Sequence, residues 1–127
     1  MRPRYAEIDA QGVVFNAHWL TYFDDACTRF FGHLGFDPKE LFAADGGGFD
    51  CMLVGAQLSW SGSAGFDDEV RISVEPTRLG NSSFDLTYVA RVHGEEAVRA
   101  VITYVSVRPG TKESVRVPDV VRAGLGS

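Results

Sequence analysis

The sequence has little of what would mark a metalloprotein or a disulfide-rich protein. Its two cysteines, Cys27 and Cys51, have neither a metal-binding spacing nor the pattern of a disulfide framework. We interpret both as buried free thiols. The three histidines (His18, His33 and His93) are too far apart in sequence for a helical metal pair. We therefore predict no metal site.

Long apolar runs and blocks of like charge are also missing. No stretch approaches the roughly 20 apolar residues that a transmembrane helix needs, and no apolar signal region follows the N-terminal Met-Arg-Pro-Arg. The sequence has 12 basic and 17 acidic residues and a net charge of -5. It therefore lacks the excess positive charge that favours binding to nucleic acid or to an anionic membrane surface. The sequence predicts a cytoplasmic protein with no nucleic-acid or membrane partner.

The chain does have enough apolar residues for one hydrophobic core. With 127 residues and 45% apolar content, it is long enough for one domain and too short for two ordinary ones. We therefore treat residues 1–127 as a single domain.

A long apolar helix is predicted at residues 17–34. Apolar residues recur there at spacings of three and four, and further large residues widen that face, so other elements should wrap around the helix. The recurring positions are Leu20, Phe23, Cys27, Phe30 and Leu34, and the widening ones are Trp19, Tyr22, Ala26 and Phe31.

Strand patterns dominate the rest of the chain. A short first strand is predicted at residues 4–8, and four more at 51–61, 69–78, 83–92 and 96–108. The short connections between the last four demand antiparallel neighbours. Short helices are predicted at residues 38–44 and from Pro118 onward. The order of elements predicts an α+β domain in which a five-stranded antiparallel sheet wraps one long central helix.

The last predicted strand is apolar on both faces. Val98 and Ile102 lie on one face, and Val101 and Val105 lie on the other. A single layer of this size cannot cover both faces, whereas a second copy of the chain would supply the missing cover. We therefore expect a homodimer and leave a homotetramer open.

The most informative segment reads Glu-Ile-Asp-Ala-Gln-Gly-Val-Val-Phe-Asn-Ala-His-Trp over residues 7–19. It places one carboxylate, Asp9, in a glycine-containing turn directly before the long helix. A helix start has backbone N–H groups without intrahelical partners and carries partial positive charge, so it polarises a carbonyl oxygen docked there. Asp9 would face that electrophile, although Asp-Ala-Gln-Gly is also a good type I turn with no catalytic role.

This segment resembles the hotdog-fold acyl-CoA thioesterases of the 4-hydroxybenzoyl-CoA thioesterase type. Members of that family carry an Asp, a Gly three residues later, an apolar pair, an Asn, His or Tyr, and then an aromatic-rich helix with an acid. The matching residues are Asp9, Gly12, Val13, Val14, Asn16, Trp19, Tyr22, Phe23, Asp24 and Ala26. The resemblance implies the hotdog fold and cofactor-free hydrolysis of an acyl- or aryl-CoA thioester.

The resemblance also assigns the catalytic roles. The oxyanion donor is the backbone N–H at Asn16, whose side chain we also interpret as a helix N-cap. Gly12 lets backbone approach the ligand closely, although a tight turn would favour glycine anyway. Asp9 acts either as a nucleophile, through a mixed anhydride, or as a general base on water. The sequence does not separate these two roles.

The remaining candidate residues are substrate contacts, and each has a structural alternative. Around the helix start they are Phe15, Ala17, His18, Trp19 and Asp24, for which the alternatives are core packing or an ordinary helix surface. Farther along, a strand-to-strand turn resembles the family's CoA-binding turn and comprises Arg78, Gly80, Asn81 and Ser82. Arg78 is the candidate phosphate ligand, or else a solvent-facing arginine of a hairpin.

Two other functions fit the same residues. A hotdog domain of this kind could hold an acyl-CoA or an acyl-carrier protein without cleaving it. A hotdog hydratase or dehydratase would need a His/Asp or His/Glu pair, for which His18 is the only candidate near Asp9. The acyl group and the carrier, CoA or carrier protein, are left open by the sequence.

Overall fold

A computed structural model describes residues 1–14, 16–35 and 49–126. The elements in chain order are helix α1 (His18–His33), strands β1 (Asp50–Trp60), β2 (Val70–Leu79), β3 (Ser83–Val92) and β4 (Glu95–Val107), and a short helix α2 (Asp119–Gly124). The helix predicted at residues 38–44 lies outside the described residues. Within the described ranges, no helix is long and apolar enough to cross a membrane.

The strands form one antiparallel sheet in the order β1-β4-β3-β2. All four lie within one residue of their predicted bounds, because alternation of apolar and polar residues and short turns are strong local signals. The prediction of a fifth strand at residues 4–8 is wrong. In the part of the chain that the structure describes, the sheet has four strands, and Tyr5–Glu7 form a 3-10 turn instead.

The 3-10 turn forms because Glu7 folds back onto Arg4. The Arg4 backbone N–H donates to Glu7 Oε1 at 2.8 Å, and the Arg4 guanidinium donates to Oε2 at 3.3 Å. Glu7 is only 5% exposed. Burial alone would raise the pKa of Glu7, but the hydrogen bonds from Arg4 outweigh it and hold that pKa below its usual range. These local bonds compete with an extended strand.

Helix α1 packs across the middle of the sheet through aromatic side chains. Phe23 and Phe31 are fully buried, with ring centroids 5.2 Å from Tyr88 and 6.3 Å from Phe84, respectively. The predicted core face is partly wrong, because Leu20 is 41% exposed, whereas Trp19, which was expected to widen that face, is buried. The buried residues of α1 are Trp19, Tyr22, Phe23, Cys27 and Phe31.

The helix is packed on one side only, so the expectation that the sheet wraps it is also wrong. Thr21, Asp25 and Arg29 form an exposed stripe along its outer face. The sheet of the described residues is open, since its two end strands, β1 and β2, are not paired with each other.

The two faces of strand β4 are buried to different extents. Val98 and Ile102 are buried under α1, while Val101 and Val105 on the opposite face are half-buried. The prediction that the apolar side chains of β4 are covered on both faces of the sheet is therefore confirmed only for the face that packs against α1.

Both thiols are free, as predicted. Cys27 is buried and Cys51 is half-buried. Burial raises the pKa of both, that of Cys51 to about 12. Cys27 lies against two tyrosine hydroxyls in the core, those of Tyr88 and Tyr104, which are joined by a 2.6 Å hydrogen bond. Thiols so far from ionisation at neutral pH behave as small apolar side chains.

Candidate active site

The predicted Asp9 turn is present and tightly closed. Ile8 and Val14 form an antiparallel bridge, the Asp9 N–H donates to the Val13 carbonyl at 2.9 Å, and the Gly12 N–H donates to the Asp9 carbonyl at 3.0 Å. Gly12 has a φ of +79°, a left-handed value that L side chains rarely adopt. A Cβ at this position would meet nothing within 4 Å. Backbone conformation, and not close packing within the chain, is therefore what requires glycine here.

The Asp9 side chain is held in place by its own turn. Its Oδ1 accepts the Gln11 backbone N–H at 2.8 Å, which is an Asx turn. The residue is half-buried, and its second carboxylate oxygen makes no hydrogen bond to the described residues. The turn therefore presents an oriented carboxylate with one oxygen available for chemistry.

The turn is anchored to the loop between β1 and β2. The Val14 N–H donates to the carbonyl of fully buried Ala64 at 2.8 Å, and Val13 forms a bridge with Gly65. The Gly65 N–H donates in turn to Asp68 Oδ2 at 2.7 Å. This loop couples the position of Asp9 to the sheet.

Helix α1 begins one residue later than the Asn16 cap predicts. Ala17 is the N-cap, with the helical angles φ -66° and ψ -24° and no side-chain cap. The Asn16 carbonyl accepts the Trp19 N–H at 3.3 Å in a tighter turn. The prediction that Asn16 caps the helix is therefore wrong, because the N-cap is Ala17, whose side chain has no group that can accept a hydrogen bond. Asn16 and Ala17 are exposed and His18 is half-buried, so the helix start is open to a ligand.

The second predicted cluster lies at the turn between β2 and β3. Arg78 binds both carboxylate oxygens of Asp85 at 3.1 Å and the Ser83 hydroxyl at 3.0 Å, while the Thr103 hydroxyl donates to Asp85 Oδ1 at 2.7 Å. A Cβ at Gly80 would lie 2.9 Å from Arg78 Nη1. The absence of a side chain at Gly80 therefore lets the third guanidinium nitrogen lie over the turn.

Comparison with known proteins identifies the family. Residues 3–125 match the thioesterase-like superfamily. The chain belongs to this superfamily. It is 28% identical to the 1,4-dihydroxy-2-naphthoyl-CoA hydrolase of Thermosynechococcus vestitus, over 97% of this chain and 84% of the relative. The resemblance inferred from residues 9–26 is thus confirmed at the level of the family.

Two solved structures have the same hotdog architecture. A gentisyl-coenzyme A thioesterase superposes with a TM-score of 0.89 at 24% identity, covering 100% of this chain and 98% of that one. A thioesterase of Thermus thermophilus, solved with coenzyme A and zinc, gives 0.83 at 22% identity, covering 98% and 87%. In the described part of our chain, no group of three or more His, Cys, Asp or Glu side chains is placed to hold a metal ion.

The structure sorts the candidate residues of this thioesterase-like protein into three places. Asp9, Gly12, Asn16, Ala17 and His18 belong to one continuous segment at the start of α1, and the turn from Arg78 to Ser82 lies at one end of the sheet. Trp19 lies in the core at 1% exposed, which favours its structural alternative. Asp24 is exposed on α1, and Phe15 lies outside the described residues.

Sequence reasoning missed the partners of Arg78. Asp85 lies on β3 and contacts Arg78 because β3 is paired with β2. Thr103 lies on β4 and contacts Asp85 because β4 is paired with β3. The cross-strand position of Asp85 opposite Arg78 is the one signal that the strand prediction contained, since a hairpin places opposite charges there.

Acid should weaken the Arg78–Asp85 interaction. Burial alone would raise the pKa of Asp85, but hydrogen bonds from Arg78 and Thr103 hold it below its usual range. A carboxyl with a lower pKa in the folded state stabilises the fold above its unfolded pKa, and this contribution is lost as the pH falls through the folded value. Asp85→Asn should therefore lower the free energy of unfolding at pH 7 by about 1–2 kcal/mol and flatten its decline below about pH 4.

Urea unfolding at pH 7 and pH 3 measures this effect. The control is Asp25→Asn, which breaks an exposed ion pair with Arg29 and should change stability at pH 7 by less than about 0.5 kcal/mol. An Asp85→Asn protein with the same decline in acid as the parent would show that Asp85 does not contribute to acid sensitivity.

Proposed function

We propose that this protein is an acyl-CoA thioesterase that hydrolyses an acyl- or aryl-CoA thioester to the free acid and CoA. Membership of the thioesterase-like superfamily supports the reaction class. The names of the relatives, a dihydroxynaphthoyl-CoA hydrolase and a gentisyl-CoA thioesterase, favour an aromatic acyl group. The observation that carries the proposal is the oriented Asp9 carboxylate in a fixed turn just before the open start of α1.

In the proposed mechanism, backbone N–H groups at Asn16 and Ala17 bind the thioester oxygen and stabilise the negative charge that develops on it. Asp9 either attacks the carbonyl carbon, releasing CoA thiolate and leaving a mixed anhydride that water hydrolyses, or removes a proton from a water that attacks directly. A thiolate leaves readily, so no strong acid is needed beside the sulfur. Gly12 serves by holding the turn that orients Asp9.

The other candidate residues would bind the substrate. His18 lies beside the helix start and contacts the acyl or thioester region, while Asp24 is a secondary polar contact near the site. Arg78 Nη1 and the backbone of Gly80, Asn81 and Ser82 would contact the phosphates of CoA. Because Asp85 already neutralises much of the Arg78 charge, the backbone of the turn contributes a larger share of that recognition than the sequence suggested.

The activity is tested by thiol release from a panel of acyl- and aryl-CoA esters, followed with a thiol-reactive dye. We expect at least one aromatic ester to be cleaved with kcat/KM above about 10⁴ M⁻¹s⁻¹. Calorimetric binding of CoA esters with no thiol release would instead favour the binding-module alternative.

His18→Ala should reduce thioester hydrolysis only modestly. Abolition of activity in this variant, together with turnover of an enoyl-CoA by the parent, would favour the hydratase alternative.

We further propose that the protein is a homodimer joined along β1. In the sheet formed by the described residues, this strand pairs with β4 on one side and is the edge on the other, and Met52, Leu53 and Val54 are exposed along it. Leu53 lies opposite Tyr104, so its side chain is on the helix face of the sheet and uncovered there. An apolar, unpaired edge of this length is a template for pairing with another chain. A tetramer of two such dimers remains compatible with the half-buried outer face.

A charge on this edge should weaken the dimer. Val54 is 58% exposed, so Val54→Lys should leave the fold of each subunit unchanged and raise the dimer dissociation constant by about tenfold or more. Sedimentation equilibrium over a concentration series measures the change. Val120→Lys, at an exposed apolar residue of α2, is the matched control. A Val54→Lys protein that dissociates like the parent would place the interface elsewhere.

A further inference from the structure

The C-terminal segment is packed against the β2–β3 turn. After β4 the chain folds back, and the Val117 N–H donates to the Asn81 carbonyl at 2.9 Å. Val117 and Val121 are fully buried and Leu125 nearly so. These three apolar side chains fix α2 beside the turn, so the position of α2 and that of the turn are coupled.

Arg122 of α2 adds a charged contact to the same turn. Its Nη1 donates to the Gly80 carbonyl at 2.9 Å and to the Asn81 carbonyl at 3.3 Å. The carbonyls of Gly80 and Asn81, two consecutive residues of the turn, therefore both accept hydrogen bonds from the C-terminal segment, which donates through Arg122 and the Val117 N–H. Hydrogen bonds from a guanidinium are stronger than neutral ones, so this contact orients both peptide groups.

The orientation of the carbonyls determines where the N–H groups point. In a planar trans peptide the C=O and N–H bonds point in opposite directions. With the carbonyls of Gly80 and Asn81 turned toward Arg122, the N–H groups of Asn81 and Ser82 point away from it, and neither donates to another group in the described parts of the chain. The Gly80 N–H closes the turn on the Ser83 carbonyl at 2.7 Å. The turn therefore offers two N–H donors to an anionic oxygen on the side away from Arg122.

We propose that Arg122 is a positioning residue for the nucleotide end of CoA. It holds the β2–β3 turn in the conformation whose N–H groups, with Arg78 Nη1, meet the phosphates. The inference rests on the proposed function, because it assigns this turn to the CoA moiety. Arg122 itself faces the carbonyl side of the turn and does not contact the substrate. Its loss should weaken recognition of CoA and leave the chemistry at Asp9 intact.

Arg122→Ala tests the inference with two substrates that carry the same acyl group. One is the CoA ester, and the other is the N-acetylcysteamine thioester, which lacks the phosphates and the adenosine. We expect KM for the CoA ester to rise by about fivefold to tenfold with kcat within about twofold of the parent. For the truncated substrate, kcat/KM should stay within about twofold of the parent value. Arg122→Lys should be intermediate, because an ammonium group can still donate to the two carbonyls.

Arg116→Ala is the matched control, since Arg116 lies in the same segment and pairs with Asp119 at the surface without contacting the turn. It should leave both substrates unchanged. Equal losses on both substrates, or an unchanged KM for the CoA ester, would overturn the positioning role. If Arg122→Ala does not fold, Arg122→Lys decides between the same outcomes. If the parent enzyme had the same kcat/KM for the truncated thioester as for the CoA ester, the nucleotide end of CoA would not be recognised at all. That result would contradict both CoA recognition by the turn and the proposed role of Arg122.

Discussion

Asp9→Asn should lower kcat for every CoA ester that the parent accepts by about 10²–10⁴-fold, the usual contribution of a positioned acid or base. An asparagine keeps the side-chain oxygen that accepts the Gln11 N–H at 2.8 Å, so the turn and its anchoring to Ala64 should be preserved. What disappears is the negative charge that attacks the carbonyl or removes a proton from water. Steady-state thiol release measures kcat, and the thermal midpoint confirms that the fold is unchanged.

Asp24→Asn is the control for this experiment, because Asp24 is the other carboxylate that the family pattern places near the site and is exposed on α1. We expect its kcat to fall by less than about tenfold. Near-parental turnover by Asp9→Asn would show that Asp9 is not the catalytic group. Abolition of activity in Asp24→Asn alone would transfer that role to the helix.

Trp19→Ala should destabilise the fold by about 3–5 kcal/mol, the usual effect of removing a large buried aromatic side chain. Trp19 is 1% exposed and packs edge-on to Tyr22, with ring centroids 5.3 Å apart, and against Phe23 at 6.0 Å. Trp19 belongs to the buried core cluster, so the space left behind can collapse only partly. Urea unfolding followed by circular dichroism measures the free energy.

Trp60→Ala is the matched tryptophan control for this prediction. Trp60 is 45% exposed on β1, so its removal should change the stability of the single subunit by less than about 1 kcal/mol. If Trp19→Ala were as stable as the parent and showed instead a raised KM, Trp19 would be a substrate contact and not a core residue.

Most of the sheet could be predicted from the sequence, and the exceptions have local physical causes. Alternation and turn residues placed β1 to β4 within one residue, since each signal lies within the strand itself. The strand at residues 4–8 failed because Glu7 bonds back to Arg4, a side-chain contact that periodicity does not contain. On α1, Trp19 and Leu20 are adjacent apolar residues, and only packing against the sheet decides which of them is buried.

The candidate site divides in the same way. The Asp9 turn and the left-handed Gly12 follow from the local Asp-x-x-Gly pattern. The Asn16 cap failed by one residue, since the N-cap is Ala17, because a polar residue before a helix does not by itself fix the first residue of the helix. The bonds from Arg122 to Gly80 and Asn81 connect residues 42 and 41 positions apart, and no local pattern predicts such a contact.

The most direct test is a crystal structure of Asp9→Asn with an uncleaved aryl-CoA ester. We predict that the thioester oxygen lies about 3 Å from a backbone N–H at the start of α1. The carbonyl carbon should face the side chain of residue 9 of the same or the partner subunit. An ester whose carbonyl lies away from the start of α1, with residue 9 pointing into solvent in both subunits, would contradict the proposed mechanism.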